Sequence, residues 1–256
     1  MYFMLNHEGA YMKKITLVSL NHYCKLVLRG GLFLFAIYLY ITQWRSAPPF
    51  GHEIDSLFLM VVWMLGLAEI LSRFFPSKLE SMGCQKVFAK NYRPLTETPD
   101  NTKADIRCSV GFVAAIWIAF NCVFGFLYWK GILDTGFMYL LCLFYSVCDM
   151  ICILFFCPFQ SWFMKNRCCT TCRIFNWDHM MMFSPLVFVP GFFTWSLCAG
   201  AVIVLVIWEI SFALHPERFY EGTNEALKCC NCTDRLCGER NCHAAIPSIN
   251  NITKGI

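Results

Sequence analysis

Residues 148–179 read CDMICILFFCPFQSWFMKNRCCTTCRIFNWDH, and the rest of the chain is best understood outward from this stretch. It begins inside an apolar run and breaks at Pro158 into a basic, aromatic loop with three clustered cysteines. Proline ends a helix because it lacks a backbone donor and clashes with the preceding turn. The stretch therefore predicts a membrane-spanning helix that leads into a cysteine-rich loop.

The composition of the whole chain also predicts a membrane protein. Of its 256 residues, 57% are hydrophobic and 15% are charged, and the mean hydropathy is +0.50. A soluble domain typically has about 25% charged and about 45–50% apolar residues. The net charge of +4 comes from residues that mostly flank apolar runs, which is typical of topology signals and argues against nucleic-acid binding. We predict an all-α, polytopic transmembrane helical bundle in contact with the lipid bilayer.

Apolar runs of about 19–22 residues are long enough to cross a hydrocarbon core of about 30 Å. A further apolar stretch, 180–214, is interrupted by Pro185, Pro190 and Gly191. We predict that 180–190 is re-entrant or interfacial and that a span follows it. The bundle then has five spans, or six crossings if 180–214 is a hairpin. The uninterrupted runs are 26–44, 57–75, 108–129 and 137–157.

The chain divides into three predicted parts. These are an N-terminal arm at 1–24, the bundle at 25–214 with its cysteine-rich loop 157–179, and a cysteine-rich C-terminal tail at 215–256. With the N-terminus inside, the inner segments hold twice as many Lys and Arg residues as the outer ones, which predicts a cytoplasmic N-terminus in the cell (inner) membrane. The basic tail also favours the inner side, which the six-crossing arrangement allows.

The tail contains a regular cysteine pattern. Cys229, Cys232, Cys237 and Cys242 are spaced C-x2-C-x4-C-x4-C. This spacing resembles a zinc knuckle, with cysteine at the third position, where histidine is usual. The resemblance covers 14 residues and implies a tetrathiolate site for zinc or an iron–sulfur cluster. The alternative is a disulfide-linked tail on an oxidising face of the membrane.

The loop carries a second candidate metal site. Its predicted ligands are Cys157, Cys168, Cys169 and Cys172, which are within reach of one ion if Cys157 lies at the helix end. Nearby basic residues favour thiolates, because positive charge lowers a thiol pKa. Reactive thiols or a transient disulfide are the alternative. The basic residues are Lys165, Arg167 and Arg173.

Polar residues inside the apolar runs are functional candidates, because a charge in lipid is costly unless it is paired. Asp149 is expected to meet Tyr145, Asn121 or a backbone group, or else to belong to an ion, proton or metal path along one helix face. The intramembrane candidates are Glu69, Asn121, Cys148, Asp149 and Cys152.

The sequence favours redox chemistry, electron transfer or soft-metal handling, with a redox or protein partner at the cysteine-rich face. The alternatives are a transporter or channel whose tail is braced by structural zinc, and a non-catalytic membrane scaffold. Convergence of Glu69, Asn121 and Asp149 on one cavity would favour the transporter. No catalytic motif identifies an enzyme or a catalytic residue, and the substrate stays open.

Overall fold

The computed structural model describes residues 16–44, 53–95, 103–164, 168–232 and 234. Within these ranges the protein is all-helical, as predicted, with an isolated bridge between Pro94 and Asn224 and no β-strand. The α-helices are α1 (Leu17–Leu39), α2 (Glu53–Ser72), α3 (Met82–Gln85), α4 (Lys103–Trp129), α5 (Thr135–Leu154), α6 (Asp178–Phe183) and α7 (Phe192–Leu214). Short 3-10 turns lie at Ala89–Asn91, Cys169–Thr171, Phe175–Trp177, Ser184–Phe188, Pro216–Arg218, Glu225–Leu227 and Cys229–Asn231, and π-helical turns lie at Tyr40–Trp44 and Phe159–Phe163.

Four of the described helical segments are long and apolar enough to cross a membrane. The apolar part of α2, Ser56–Ser72, is shorter. Large apolar side chains on these helices are exposed, for example Leu34, Phe126 and Ile203, and such a surface suits lipid. The fold therefore fits an integral membrane protein. The four segments are Leu17–Thr42, Val110–Trp129, Thr135–Leu154 and Phe192–Leu214.

The first helix begins earlier than the sequence suggested. Thr16 caps α1: its hydroxyl accepts from Ser19 N at 3.1 Å, and Ser19 Oγ accepts from Thr16 N at 3.1 Å. This reciprocal pair satisfies backbone donors that would otherwise lack partners at a helix start. Residues 17–24, assigned to the N-terminal arm from the sequence, are therefore the first turns of α1.

One end of the bundle is covered by three loop segments, which we call the cap: 73–95, 155–177 and 215–234, as far as they are described. Glu225 N donates to Arg93 O at 2.9 Å and joins two of these segments. Asp234 ties the cap to the start of α1, because its carbonyl oxygen accepts from Thr16 Oγ1 at 2.9 Å. Its carboxylate accepts from Ser81 Oγ at 2.6 Å. The described tail residues and the start of α1 thus lie at the same end of the bundle.

Residues 178–214 form a hairpin that starts and ends at the cap. Its first arm, α6 with the turn Ser184–Phe188, leads into the bundle and is too short to cross a membrane. α7 then returns to the cap, where Glu209 accepts a hydrogen bond from Trp177 Nε1 at 2.8 Å. The break at Pro185 and the helix start after Gly191 confirm the predicted interruption.

The hairpin brings the two cysteine-rich segments to one end of the molecule. The turns Cys169–Thr171 and Glu225–Leu227 both contact α3 in the cap, and Cys229–Asn231 contacts Glu225–Leu227. This is the placement that the six-crossing alternative required. It arises here because the short first arm of the hairpin, which we call the re-entrant arm, leads into α7 and α7 returns to the cap.

The re-entrant arm packs closely on α4 at Gly125. A Cβ atom added to Gly125 would lie 2.3 Å from the Phe188 ring, so a larger side chain must displace this ring. We expect Gly125→Val to lower the free energy of unfolding by about 1–3 kcal/mol, the usual cost of overpacking. Denaturant titration in detergent measures this. Gly111→Val is the matched control on the same helix, because a Cβ there meets nothing within 4 Å. Equal effects of the two variants would contradict the packing.

Candidate functional site

Three thiols meet where α5 ends. Cys152 lies in the last turns of α5, Cys157 precedes Pro158 just beyond the helix, and Cys169 opens a 3-10 turn of the cap. Cys169 Sγ donates to Gln160 Oε1 at 2.6 Å and is 3.5 Å from the carbonyl oxygen of Cys152. Cys152 and Cys169 both lie close enough to Cys157 to shift its pKa. None of the three is in a disulfide. We call these residues the thiol cluster.

The hydrogen bonds around Cys157 stabilise its thiolate. Those from Cys152 and Cys169 lower the pKa of Cys157 to about 3, against the smaller opposing effect of burial. The backbone N–H of Gln160, with its nitrogen 3.4 Å from Cys157 Sγ, also lowers this pKa. The pKa of the Cys169 thiol is raised, first by its interaction with Cys157 and then by burial, so Cys169 is protonated next to the Cys157 thiolate. A thiolate next to protonated thiols is the arrangement of a reactive cysteine.

This arrangement predicts an unusual pH dependence of alkylation. The thiolate is the reacting form, so Cys157 should react with iodoacetamide at a nearly constant rate from about pH 8 to about pH 5. Cys84, whose pKa burial raises to about 11, should stay unmodified over this range. Brief labelling followed by peptide mapping gives both rates. A Cys157 rate that falls about tenfold per pH unit below about 8, as for an ordinary thiol, would contradict the assignment.

The thiol cluster lies at the cap end of an apolar cavity of about 420 Å³ between α4, α5 and the cap. Aromatic side chains such as Trp117 and Phe124 form much of its wall. Cys148 and Asp149, two of the predicted intramembrane residues, also line it. The cavity therefore gives a ligand access to the thiols from within the bundle.

The four loop cysteines predicted as metal ligands are arranged differently from the prediction. Cys168 Sγ hydrogen-bonds Thr170 Oγ1 at 3.1 Å, and Cys172 is 4% exposed. The thiols hydrogen-bonded to Cys157 are those of Cys152 and Cys169. In the described ranges, no group of three or more His, Cys, Asp or Glu side chains is arranged to hold a metal ion. Zinc or iron–sulfur ligation by the loop therefore stays a prediction.

The basic residues of the loop have other roles where they are described. Arg173 forms an ion pair with Glu209 and lies over the Phe212 ring, 3.7 Å from its centroid. Lys165 and Arg167 lie outside the described residues. The low pKa of Cys157 thus comes from hydrogen bonds, whereas the sequence suggested positive charge as its cause.

The tail site is described in part. Cys229 and Cys232 flank a 3-10 turn in which Cys232 N donates to Cys229 O at 3.2 Å. Cys237 and Cys242 lie outside the described residues. A zinc or iron–sulfur site in the tail therefore also stays a prediction.

The two predicted intramembrane carboxylates, Glu69 and Asp149, both form ion pairs with one arginine. Arg29, 7% exposed, donates to Glu69 Oε2 at 2.7 Å and to Asp149 Oδ2 at 2.9 Å. It also donates to Ser146 O at 2.8 Å. We call Arg29, Glu69 and Asp149 the Arg29 triad. The partner of Asp149 is therefore an arginine of α1, and not Tyr145 or a neighbouring amide as the sequence suggested.

Further ion pairs continue from the triad into the cap. Arg73 pairs with Asp178 and lies 3.7 Å from Glu80, which accepts from Lys25 at 2.8 Å. Burial alone would raise the pKa of Asp178, but Arg73 and His179 outweigh it and hold this pKa below its usual range. With the triad, these described groups comprise three Lys or Arg residues and four carboxylates. His179 Nδ1 lies 2.9 Å from Asp178 Oδ1 and extends the network into α6.

Asn121 belongs to a separate polar contact. Its Nδ2 donates to Trp117 O at 2.9 Å, and its Oδ1 accepts from Ser184 Oγ at 3.0 Å and from Tyr145 OH at 3.4 Å. Asn121 thus holds the re-entrant arm against α4 and α5. Glu69, Asn121 and Asp149 do not meet in one place, so the feature that would favour a transporter is not found among them.

Several residues of the site were not identified from the sequence. The sequence did not identify Arg29, which lies inside α1, twelve positions beyond its start at Leu17. Lys86 lies buried over Trp208, 5.5 Å from its ring centroid, and donates to the carbonyl oxygen of Cys172. A usable signal existed for Arg29, because Glu69 and Asp149 in apolar helices require a cationic partner.

Comparison with models of protein families, with curated proteins and with solved structures gives no significant match. The class of the protein therefore follows from its fold and its site alone. The described chain is an all-helical protein with four helices long and apolar enough to span a membrane, and it carries a thiol cluster beside an apolar cavity.

Proposed function

We propose that the protein is a thiol redox protein of the membrane in which Cys157 forms a reversible disulfide with Cys152 or Cys169. The observation that carries the proposal is the convergence of Cys152, Cys157 and Cys169 at one end of the cavity, with Cys169 Sγ 3.5 Å from the carbonyl oxygen of Cys152. Oxidation of the Cys157 thiolate and its partner thiol breaks one S–H bond, forms one S–S bond and releases two electrons and one proton. The low pKa of Cys157 supports this role, because the thiolate is the form that attacks a disulfide or another electrophile.

The surroundings of the cluster also support this proposal. Cys157 and Cys169 lie in the cap, outside the helices that are long enough to span a membrane, while Cys152 ends one of them. Such a pair lies at the membrane boundary and can exchange electrons with a partner in the lipid or at the cap. The alternative to thiol redox chemistry is the binding of a soft metal by the loop or the tail. This alternative requires metal ligands in addition to the three thiols of the thiol cluster.

We further propose that α2 is an additional membrane-spanning helix and that the hairpin 178–214 enters and leaves the bilayer on one side, so that both ends of the described chain lie on that side. The cap then lies on the cytoplasmic side of the cell membrane together with the start of α1. The support is the concentration of Lys and Arg in the segments that form the cap, since such residues are retained on the inner side. Labelling of exposed Lys90 by a membrane-impermeant reagent, from the inner side alone, tests this orientation.

The proposed function is tested by counting thiols during a redox titration. Purified protein is equilibrated in dithiothreitol buffers of graded oxidation state, and the remaining thiols are alkylated and counted by mass. We expect one reversible step in which two thiols per chain disappear together. The absence of a reversible step, with all thiols remaining reduced, would remove the proposed function.

A further inference from the structure

The cavity beside the thiol cluster opens on the lipid-facing side of the bundle. Phe120 of α4 and Phe144 of α5 line it and are 48% and 46% exposed. Both lie inside segments that are long and apolar enough to cross a membrane. The opening between them therefore faces the bilayer, so a molecule dissolved in lipid can enter without crossing water.

The wall of the cavity suits a flat ring. The Trp117 and Tyr145 rings lie 4.9 Å apart, and Phe159 lies 5.9 Å from Trp117 at 75°. Aromatic rings contact one another favourably in offset or edge-to-face arrangements, which a flexible chain cannot make. The volume of about 420 Å³ falls within the range of small-molecule sites, about 300–1,000 Å³.

The cap end of the cavity combines polar and reducing groups. Cys152, Cys157 and Cys169 line it, and so does Gln160, whose side-chain oxygen accepts from Cys169 Sγ. A carbonyl group of a ligand at this end lies beside the sulfur atoms of the thiol cluster. A ring in the apolar part and a carbonyl at the cap end together describe an amphipathic, planar molecule.

From these features, and resting on the proposed thiol function, we propose that the cavity binds a lipid-soluble quinone that oxidises the thiol cluster. The Cys157 thiolate and the thiol of either Cys152 or Cys169 lose two electrons and one S–H proton and become joined by an S–S bond. The quinone takes up the two electrons, this proton and a second proton from water at the cap, and becomes the hydroquinone. A fatty acyl chain fills the same space but accepts no electrons.

Binding is tested separately from the reaction. The full chain in detergent, reduced and kept free of oxygen, is titrated with decyl-benzoquinone, using Cys157→Ser protein so that the probe is not consumed. We expect saturable binding, weakened about tenfold or more when Cys148→Phe fills the cavity. Cys122→Phe on the exposed face of α4 is the matched control and should leave the affinity unchanged.

The reaction is then followed with the unsubstituted protein. We expect one hydroquinone to form and two thiols to disappear per chain. Absence of saturable binding, equal binding of decanol, or equal affinity in Cys148→Phe overturns the quinone site. If the dithiothreitol titration shows the two-thiol step but the quinone does not bind, the proposed function stands and the quinone site falls. If the quinone binds and the thiols stay reduced, the role of the quinone as oxidant falls, and the dithiothreitol titration alone decides whether the thiol function stands.

Discussion

Replacement of Arg29 with methionine is expected to be among the most destabilising single substitutions in the bundle. The arginine holds Glu69 and Asp149 at 2.7 and 2.9 Å, and its removal leaves two carboxylates without their counter-ion in an apolar surrounding. Breaking one partner out of a buried ion pair typically costs about 3–5 kcal/mol. We expect a loss of this size in denaturant unfolding of the detergent-solubilised protein.

The same substitution at exposed Arg93 is the control and should change the stability by no more than about 0.5 kcal/mol. A second variant separates the effect of the lost arginine charge from the effect of the changed side-chain volume. If the loss comes from unpaired carboxylates, Glu69→Gln and Asp149→Asn introduced together with Arg29→Met should recover part of it. No recovery, or equal losses at Arg29 and Arg93, would contradict the role of the Arg29 triad.

Replacement of Cys157 with serine is expected to abolish the redox activity. Cys157 is the common partner of both other thiols in the cluster, so neither disulfide can form without it. Serine is close in size and keeps a hydrogen-bonding group, so the fold should be retained. In the dithiothreitol titration the two-thiol step should disappear. We expect the thiols lost in this step to fall to roughly 5% or less of the number lost in the unsubstituted protein, because a required nucleophile is missing.

Cys122→Ser is the matched control, because Cys122 is exposed on α4 away from the cluster. This variant should titrate like the unsubstituted protein. Cys152→Ser and Cys169→Ser then identify the second thiol, since only the true partner of Cys157 is required. A full two-thiol step in Cys157→Ser would show that other cysteines carry the activity.

The helices were predictable from the sequence because their signals are local. Long apolar runs, and breakers such as Pro158, Pro185 and Gly191, act within a few residues of where they stand. The start of α1 was placed too late, because the Thr16 and Ser19 cap was not considered and the polar residues that follow it obscure the apolar run. Local sequence rules thus predicted the helices correctly but placed the start of α1 too late.

The site was less predictable because its contacts join distant parts of the chain. Arg29 meets Asp149 across 120 positions, and no spacing rule relates the two. The partners of Cys157 likewise depend on how the cap folds on α5. The prediction grouped Cys157 with its loop neighbours and assigned Cys152 to a helix face, whereas the structure joins Cys152, Cys157 and Cys169. Their residue types indicated thiol chemistry, but the arrangement required the fold.

The most direct test of the thiol cluster is disulfide mapping after mild oxidation. The detergent-solubilised protein is oxidised with a slight excess of diamide and its remaining thiols are alkylated. It is then digested without reduction and analysed by mass spectrometry. We predict a cross-linked peptide that joins Cys157 to Cys152 or Cys169 before any other pair appears. First formation of a disulfide elsewhere, such as Cys168–Cys172 or Cys229–Cys232, with Cys157 still alkylated, would contradict the account.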